Sequence, residues 1–389
     1  MFVSHLGQAV HAQRFDYAAH IDHWGSRPMR RGRAGTELHR EVAEVGLTGC
    51  GGSHFPIAKK WGPVLAAGPG GTVVINGAEG EPGSVKDAVV MQTQPHLVLD
   101  GAMNVAEIIG ARDIIIWLEE SAHASADSMG KAIAERQHSG DPLLPITMMW
   151  APSGYLSGES TAVIAGVRGE PVAPTHTLDR ARPWGHDLPI LVHNVETLAR
   201  VGMLGHTGAG EYPRTVLITL SLSIEEGVLT DRRVVEAGVS DTIGDVFDRH
   251  GVDAASWILL GGFAGTWHQA DQARLLPLAP DLLRNNGLSL GAGIVIVVPR
   301  GRELLPQAAA IAHIMAGESA GQCGPCVFGL PAVAKALDRG RLGDVMDLSM
   351  MIKGRGGCGL PDGVLRMVES AVDVLQEKVG ADDGGVSHG

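Results

Sequence analysis

The chain has 389 residues, 44% of them hydrophobic, and a formal net charge of −12. This length can bury two or three domain cores, while the negative charge argues against a nucleic-acid partner, which needs a basic footprint. No apolar run reaches the roughly 18 residues that span a bilayer, and the opening MFVSHLGQAVHAQRFDYAAH lacks the basic-then-apolar order of a signal peptide, so a cytoplasmic protein without direct membrane insertion is expected.

The first forty residues are polar, rich in Arg and His and without a clear period, which predicts an irregular or partly helical lead-in. From Thr72 the pattern alternates. TVVIN reads as a strand, HLVLDGAMNVAEIIGA as a helix, DIIIWL as a buried strand, residues 122–136 as a helix and LPITMMW as a third strand. Such alternation implies a largely parallel sheet covered by helices. Near Tyr212 the texture changes. TVLITLSLS and RVVEAG read as strands, DTIGDVFDRHG as a short helix, and SWILLGGFAGTW and GIVIVVP add strands, an order that fits a small β-grasp-like α+β module. From Glu303 apolar residues recur at three-to-four spacing over 304–316, 329–338, 341–353 and 364–379, predicting a four-helix bundle with cysteines at its turns.

Several glycine-rich segments interrupt this pattern. GCGGSHFPIAKKW, residues 49–61, places three glycines in four residues beside Lys59 and Lys60; it reads either as a turn or as a loop whose N–H groups and lysine receive an anion. It is neither G-x-G-x-x-G nor G-K-[ST], so no standard nucleotide loop applies. INGAEGEPGSVKD follows the strand TVVIN, where open α/β sheets bind ligands, and carries Glu79 and Glu81 as hydrogen-bond acceptors or as solvated turn residues. SGYLSGES and HNVETL each read equally well as caps and turns.

Taken in order, these segments resemble the NADH-oxidising flavoprotein subunit of respiratory complex I and its relatives in bidirectional hydrogenases and formate dehydrogenases. The likeness runs from Val45 to Val379. The family loop G-R-G-G-A-G-F-P-T-G-x-K-W is matched by Gly49, Gly51, Gly52, Phe55, Pro56, Lys60 and Trp61. N-A-D-E-G-E-P-G is matched by Asn76, Glu79, Gly80, Glu81, Pro82 and Gly83, with Lys86 and Asp87 after it. G-A-Y-I-C-G-E-E-T-A is matched by Tyr155, Gly158, Glu159, Thr161 and Ala162, and N-N-V-E-T-L by Asn194, Val195, Glu196, Thr197 and Leu198. The resemblance implies FMN held by Gly49, Gly51, Gly52, Lys60, Asn76 and the helix start Asn194–Thr197, and a nicotinamide nucleotide, NAD(H), near Phe55, Glu81 and Glu159. Glu79 and Gly158 belong to the same implied cofactor site.

The departures fall on that site. The family Arg is Cys50, its Ala-Gly is Ser53-His54, and its Asp is Ala78. In the third motif Ser153-Gly154, Ser157 and Ser160 replace Gly-Ala, Cys and Glu, and His193 replaces the first Asn of the fourth. The Pro-Phe-Pro stretch that lends an aromatic to the nucleotide pocket is reduced to RPWGHDLP. Flavin binding is therefore the stronger implication and NADH binding the weaker one. Cys50 is either a redox thiol or a small neutral substitute.

Four cysteines are too few for a disulfide scaffold, so the thiols read as ligands or redox groups. Cys323 and Cys326 form Cys-Gly-Pro-Cys, which also occurs in thioredoxin-like dithiols, but here a helical segment precedes the pair where that fold needs a strand. The family pattern E-S-C-G-x-C-x-P-C aligns Glu318, Ser319, Gly321, Cys323, Pro325 and Cys326, with Ala320 in place of the first cysteine, and Cys358 in CGLPDG aligns with the isolated fourth. Three thiolates form a soft site. The options are a [3Fe–4S] cluster, a [4Fe–4S] cluster completed by Ser319, His313, a partner side chain or water, zinc, or no cluster.

The expected organisation is a Rossmann-like α/β flavin domain with its lead-in at 1–208, a β-grasp soluble-ligand-binding domain at 209–301, a helical iron–sulfur domain at 302–380 and a flexible tail at 381–389. The expected activity is that of an NADH dehydrogenase-like oxidoreductase that passes electrons through FMN and the cluster. Its partner would be a ferredoxin-like or thioredoxin-like-fold redox subunit, or a membrane redox complex. The alternative is a non-catalytic paralogue that serves as an assembly scaffold or β-grasp ligand binder.

Overall fold

Thr72–Asn76 is buried at all five positions, the pattern of a strand covered on both faces, and it forms β1 of a parallel sheet. The structure is a computed structural model that describes residues 13–175, 184–185, 187–225, 227–252 and 255–383. It forms two compact units: residues up to 80, 85–217 and 234–236 in one, and residues 81–84, 218–233 and 237 onward in the other.

The first unit begins with helices α1 (Tyr17–Trp24), α2 (Arg33–Glu44) and α3 (Ile57–Ala67) ahead of β1. Then follow α4 (Lys86–Thr93), α5 (Pro95–Ile109), β2 (Asp113–Glu119), α6 (His123–His138), β3 (Ile146–Ala151), α7 (Ser160–Val167), β4 (Ile190–Asn194) and α8 (Val195–Glu211). The strands lie in the order β3-β2-β1-β4, every pairing parallel. Successive strands are laid down on one side of β1 until β4, which is added on the other. The winding therefore reverses between β1 and β4, whose last residues, Asn76 and Asn194, are direct partners in the register. Helix α5 is buried along nearly its whole length, polar His96, Asp100 and Asn104 included. Buried polar groups need partners, and the lead-in supplies several. His20 bonds Asp100 at 2.9 Å, and Arg27 bonds Asn104 at 3.1 Å and Glu107 at 3.0 Å.

Beyond α8 come β5 (Thr215–Glu225), β6 (Val228–Gly238), α9 (Ile243–His250), β7 (Ala255–Leu260), β8 (Thr266–Gln269), α10 (Ala270–Ala273), α11 (Pro280–Asn285) and β9 (Ile294–Pro299). They build a five-stranded sheet in the order β6-β5-β9-β7-β8, with β5 parallel to β9 and β7 antiparallel to both β8 and β9. The run SWILLGGFAGTW is thus a hairpin. Four helices close the chain: α12 (Leu304–Gly317), α13 (Leu330–Asp338), α14 (Leu342–Ile352) and α15 (Leu360–Asp383), with one π-helical turn, Pro325–Gly329, leading into α13.

The coarse expectation of a mixed α/β chain with a parallel sheet and covering helices agrees with this architecture. Strand β4 and helices α1 to α3 go beyond it, since 190–194 read as the approach to a helix start. In the stretch 182–189, Arg182, Pro183 and His186 lie outside the described residues, as does the tail beyond 383.

Candidate functional site

Ligands of open α/β sheets bind outside the carboxyl ends of the strands where the winding reverses. Here that point is marked by Asn76 and Asn194. The Asn76 amide donates to the Gly158 carbonyl at 2.9 Å, and its oxygen accepts from the Ala78 N–H at 3.3 Å. Asn194 caps α8 by accepting from the Thr197 N–H at 3.4 Å and donates to Asp87 at 2.6 Å. The glycine loop is closed at its base by the Gly49 N–H on the Phe55 carbonyl, at 2.9 Å. It rests on the same helix start: the Cys50 N–H donates to Thr197 Oγ1 at 2.9 Å, and a Cβ on Gly51 would lie 3.5 Å from Asn194 Cβ. The structure therefore gathers Gly49, Gly51, Gly52, Asn76, Gly158, Asn194 and Thr197, from segments distant in sequence.

Gly158 is small for a structural reason. A Cβ there would stand 2.5 Å from the Ala78 carbonyl, and one on Gly80 2.6 Å from the Gly154 carbonyl, so the two loops pack backbone to backbone.

Lys60 reaches from α3 to the Val192 carbonyl, 2.6 Å away. Burial draws its ammonium down to about 8, with the charge of Glu159 working against that fall. Its hydrogen-bond acceptor is a carbonyl, so a bound anion would recover part of the lost solvation. A buried cation, a glycine loop with its amide donors and the positive end of α8 suit a phosphate-bearing ligand such as FMN.

The acidic residues read from the sequence have different settings. Glu79 accepts from the Asp87 and Ala88 N–H groups, both at 3.1 Å, and so caps α4. Glu159 caps α7 through the Thr161 and Ala162 N–H groups at 2.8 and 3.0 Å. Glu81 belongs to the second unit, where it accepts from the Phe263 N–H at 2.7 Å. Phe55 is half exposed, at 50%.

One feature escapes the sequence altogether. Fully buried Lys86 lies 2.9 Å from Asp87 and 3.0 Å from Glu196, and Glu196 is also paired with Arg200 at 2.8 Å. Burial alone would raise the Glu196 carboxyl, but Lys86 and Arg200 outweigh it and hold it low. This network ties the start of α4 to the start of α8. The only hint was that Lys86, Asp87 and Glu196 recur in motifs.

Several departures find local partners. His193 accepts from the Trp61 indole at 2.7 Å and is kept neutral by burial, reinforced by Lys60. Ser157 donates to the Gly154 carbonyl at 2.6 Å. Burial, helped by Glu196, pushes the Cys50 thiol up to about 12, which favours the neutral substitute over the redox thiol. His54 keeps a φ of 46°, the left-handed conformation of the glycine it replaces and an uncommon one for a side chain of its size.

In the second unit the cysteines are thiols on two turns. The Gly357 N–H donates to Cys323 Sγ at 3.4 Å, bringing the turn that carries Cys358 onto the one that carries Cys323 and Cys326. Burial works against ionisation of Cys323, but hydrogen bonds from the Gly357 and Cys326 backbones outweigh it and hold the thiol low. Cys326 is pushed up to about 12 by burial, opposed by a hydrogen bond from Ser319 and reinforced by Cys323 and Cys358. Three soft sulfurs with a backbone N–H on one of them suit an iron–sulfur cluster. Of the candidate fourth ligands, Ser319 touches Cys326, whereas His313 is paired with Asp338 at 2.8 Å.

Residues 42–203 match the family model of the Nuo51 FMN-binding domain, and residues 306–382 match that of the NADH-ubiquinone oxidoreductase-F iron–sulfur binding region. The chain is similar to the F subunit of the Rhodobacter capsulatus NADH-quinone oxidoreductase, 24% identical over 92% of this chain and 90% of the relative. It is 26% identical to the corresponding Escherichia coli K12 protein over 93% of this chain and 88% of the relative. One of the two such proteins of Rhizobium meliloti strain 1021, numbered 2, is 27% identical, with 86% of both chains covered. Among solved structures, a chain of an NAD+-reducing [NiFe]-hydrogenase shares the fold with a TM-score of 0.78 at 23% identity; the match covers 91% of this chain and 64% of that one.

Proposed function

The chain is a divergent member of the family of NADH-binding flavoprotein subunits of respiratory complex I, and on that premise we propose that the strand-end crevice is its FMN site and the cysteine turns its cluster site. It is an electron-transfer oxidoreductase with FMN and an iron–sulfur cluster as cofactors. When bound, FMN supplies the exchange between two-electron and one-electron chemistry, and the cluster supplies single-electron transfer.

The protein's share is position and electrostatics. The Gly49–Gly52 amides, the start of α8 and Lys60 receive the anionic end of the flavin nucleotide, and Asn76 and Asn194 hold the surrounding loops in register. Lys86, Glu196 and Arg200 fix the two helix starts beneath them. Cys323, Cys326 and Cys358 hold the cluster, and Ala320 leaves one corner without a thiolate. The observation that carries this reading is the convergence of the glycine loop, Asn76 and Asn194 at the reversal of strand order.

The nicotinamide side is the weaker one. Glu79 and Glu159 are spent on helix caps, and His54 occupies a glycine conformation. NADH is therefore proposed as a slow reductant beside an unidentified donor. Since the relatives are subunits of NADH-quinone oxidoreductases, the partner is proposed to be a redox subunit of such a complex, of ferredoxin-like or thioredoxin-like fold. No helix among the described residues is long and apolar enough to cross a membrane. The β5–β9 sheet is proposed as the soluble-ligand-binding β-grasp module, and the boundaries 1–208, 209–301 and 302–380 as the domains. Nothing in the structure favours the cofactor-free scaffold.

The test is a fluorescence titration of apoprotein with FMN. Lys60→Ala should weaken binding by about 1.5–3 kcal/mol, the worth of a charge-assisted hydrogen bond. Unchanged affinity would place the phosphate elsewhere.

A further inference from the structure

Away from the crevice, the lead-in helix α1 meets α5 and α8 at a cluster of metal-ligating side chains. His20 Nε2 lies 2.9 Å and His206 Nε2 2.7 Å from the same oxygen, Asp100 Oδ2. The three ligand atoms all lie within 4.8 Å of one another, and the side chains are 1%, 4% and 0% exposed for His20, His206 and Asp100. We propose that His20, Asp100 and His206 form a binding site for a divalent transition metal of the zinc class, which pins the lead-in to the flavin unit.

Two neutral imidazoles and a carboxylate are a donor set that zinc accepts, with a fourth position left for water. Bonds of 2.0–2.2 Å in a tetrahedron put neighbouring donors about 3.3 Å apart. The present spacings need to open by only about half an ångström, because the ion replaces the two hydrogens now shared with Asp100. Burial keeps His20 below the usual imidazole range, so its nitrogen is neutral and able to ligate. His20 Nδ1 is buried without a hydrogen-bond partner, so the hydrogen bond that orients this ring is the one to Asp100.

The surroundings act as an outer shell. Arg136 holds the other oxygen of Asp100 at 2.7 Å, fixing the carboxylate's direction, and is itself paired with Asp141 at 2.7 Å. Arg14 is paired with Glu135 at 2.8 Å, and Glu135 also meets His96 at 2.9 Å. Three carboxylates thus face two guanidiniums, and the negative balance suits a cation. His206 sits two residues before Gly208, where the helical path of α8 breaks, which gives the ion an entry route through a chain bend. His20 and His206 both fall outside the segment matched by the flavin-domain family model, so the site joins a feature of this chain to the shared fold.

The experiment uses protein loaded with flavin and cluster, so that the thiols are occupied, dialysed against buffered zinc chloride and desalted. One zinc per chain beyond the cluster iron is expected, with an X-ray absorption first shell of nitrogen and oxygen only. His20→Gln and His206→Gln keep an amide donor toward Asp100 but remove a ligand; each should lower zinc affinity at least tenfold while leaving the circular dichroism unchanged. His250→Ala, on α9, should keep the zinc. Zinc should slow hydrogen exchange in residues 17–24 of the parent and in neither Gln variant. A sulfur-containing shell, zinc retained by both Gln variants, or adventitious metal only would overturn the proposal.

Discussion

The strand-end crevice and the cysteine turns are built on opposite principles. Around the crevice, motif residues are already committed to the fold: Asn194 and Glu159 cap helices, Glu79 caps α4, Asn76 stitches two loops together, and Lys86 lies in a buried ionic network. At the cysteine turns one backbone N–H reaches Cys323, and the next residues outward, Val327 and Phe328, are exposed, Phe328 by 76%. A motif residue can thus serve a cofactor indirectly, by fixing a backbone, or directly, by offering a donor atom. A substitution of the first kind must cost stability along with binding. One of the second kind costs binding alone.

The contrast should show most strongly at the turns. Cys358→Ser should abolish or cripple the cluster, with iron and sulfide falling toward zero, while bound FMN and the thermal unfolding temperature of the apoprotein stay within error. Cys50→Ser should leave iron content unchanged. Loss of FMN from the Cys358 variant would show that the two regions are not separable.

Next comes the ionic network. Lys86→Met leaves Glu196 and Asp87 buried without their shared cation and should cost about 3–5 kcal/mol in urea unfolding, the usual penalty for breaking a buried pair. A cost below about 1 kcal/mol, typical of a surface pair, would mean that the network does not hold the helix starts.

A pH dependence follows in size. Lys60 titrates near 8 because burial disfavours its charge, and a bound phosphate would favour that charge and raise the value. Binding above pH 8 must therefore take up a proton, so FMN affinity should fall as pH rises past 8, by at most about tenfold per unit. Lys60→Ala should flatten that limb. Apoprotein stability should move the other way. The unfolded chain holds this proton up to its higher ordinary value, so folding gains as pH rises from about 8 toward 10.5.

A milder substitution sharpens the contrast. Asn194→Ala removes the cap of α8 and should cost about 1 kcal/mol of stability together with a loss of FMN affinity. Affinity lost without stability would make Asn194 a direct ligand and blur the distinction drawn between the two regions.

These features were unequally legible in the sequence. β1, α5, β2, α6 and β3 stand out because each carries an unbroken apolar run or a helical stripe. β4 does not: five residues that end in the cap Asn194 read as the approach to a helix, and with β4 unseen the reversal of strand order is unseen too. The Lys86–Glu196 pair joins residues far apart in the chain, beyond any local pattern. So does the meeting of His20 with Asp100 and His206, since an Arg- and His-rich lead-in gives no sign of what it docks against. The cysteine pair is local and visible, whereas its link to Cys358 rested on resemblance until the Gly357 N–H was placed on Cys323.

Whether one chain holds both FMN and a three-thiolate cluster is decided by the visible absorption of purified protein reconstituted anaerobically with FMN, iron and sulfide, followed by electron paramagnetic resonance after mild oxidation. Flavin bands, a broad iron–sulfur shoulder and a [3Fe–4S] signal are expected. A colourless protein in which Cys323 and Cys326 have joined as a disulfide would contradict that.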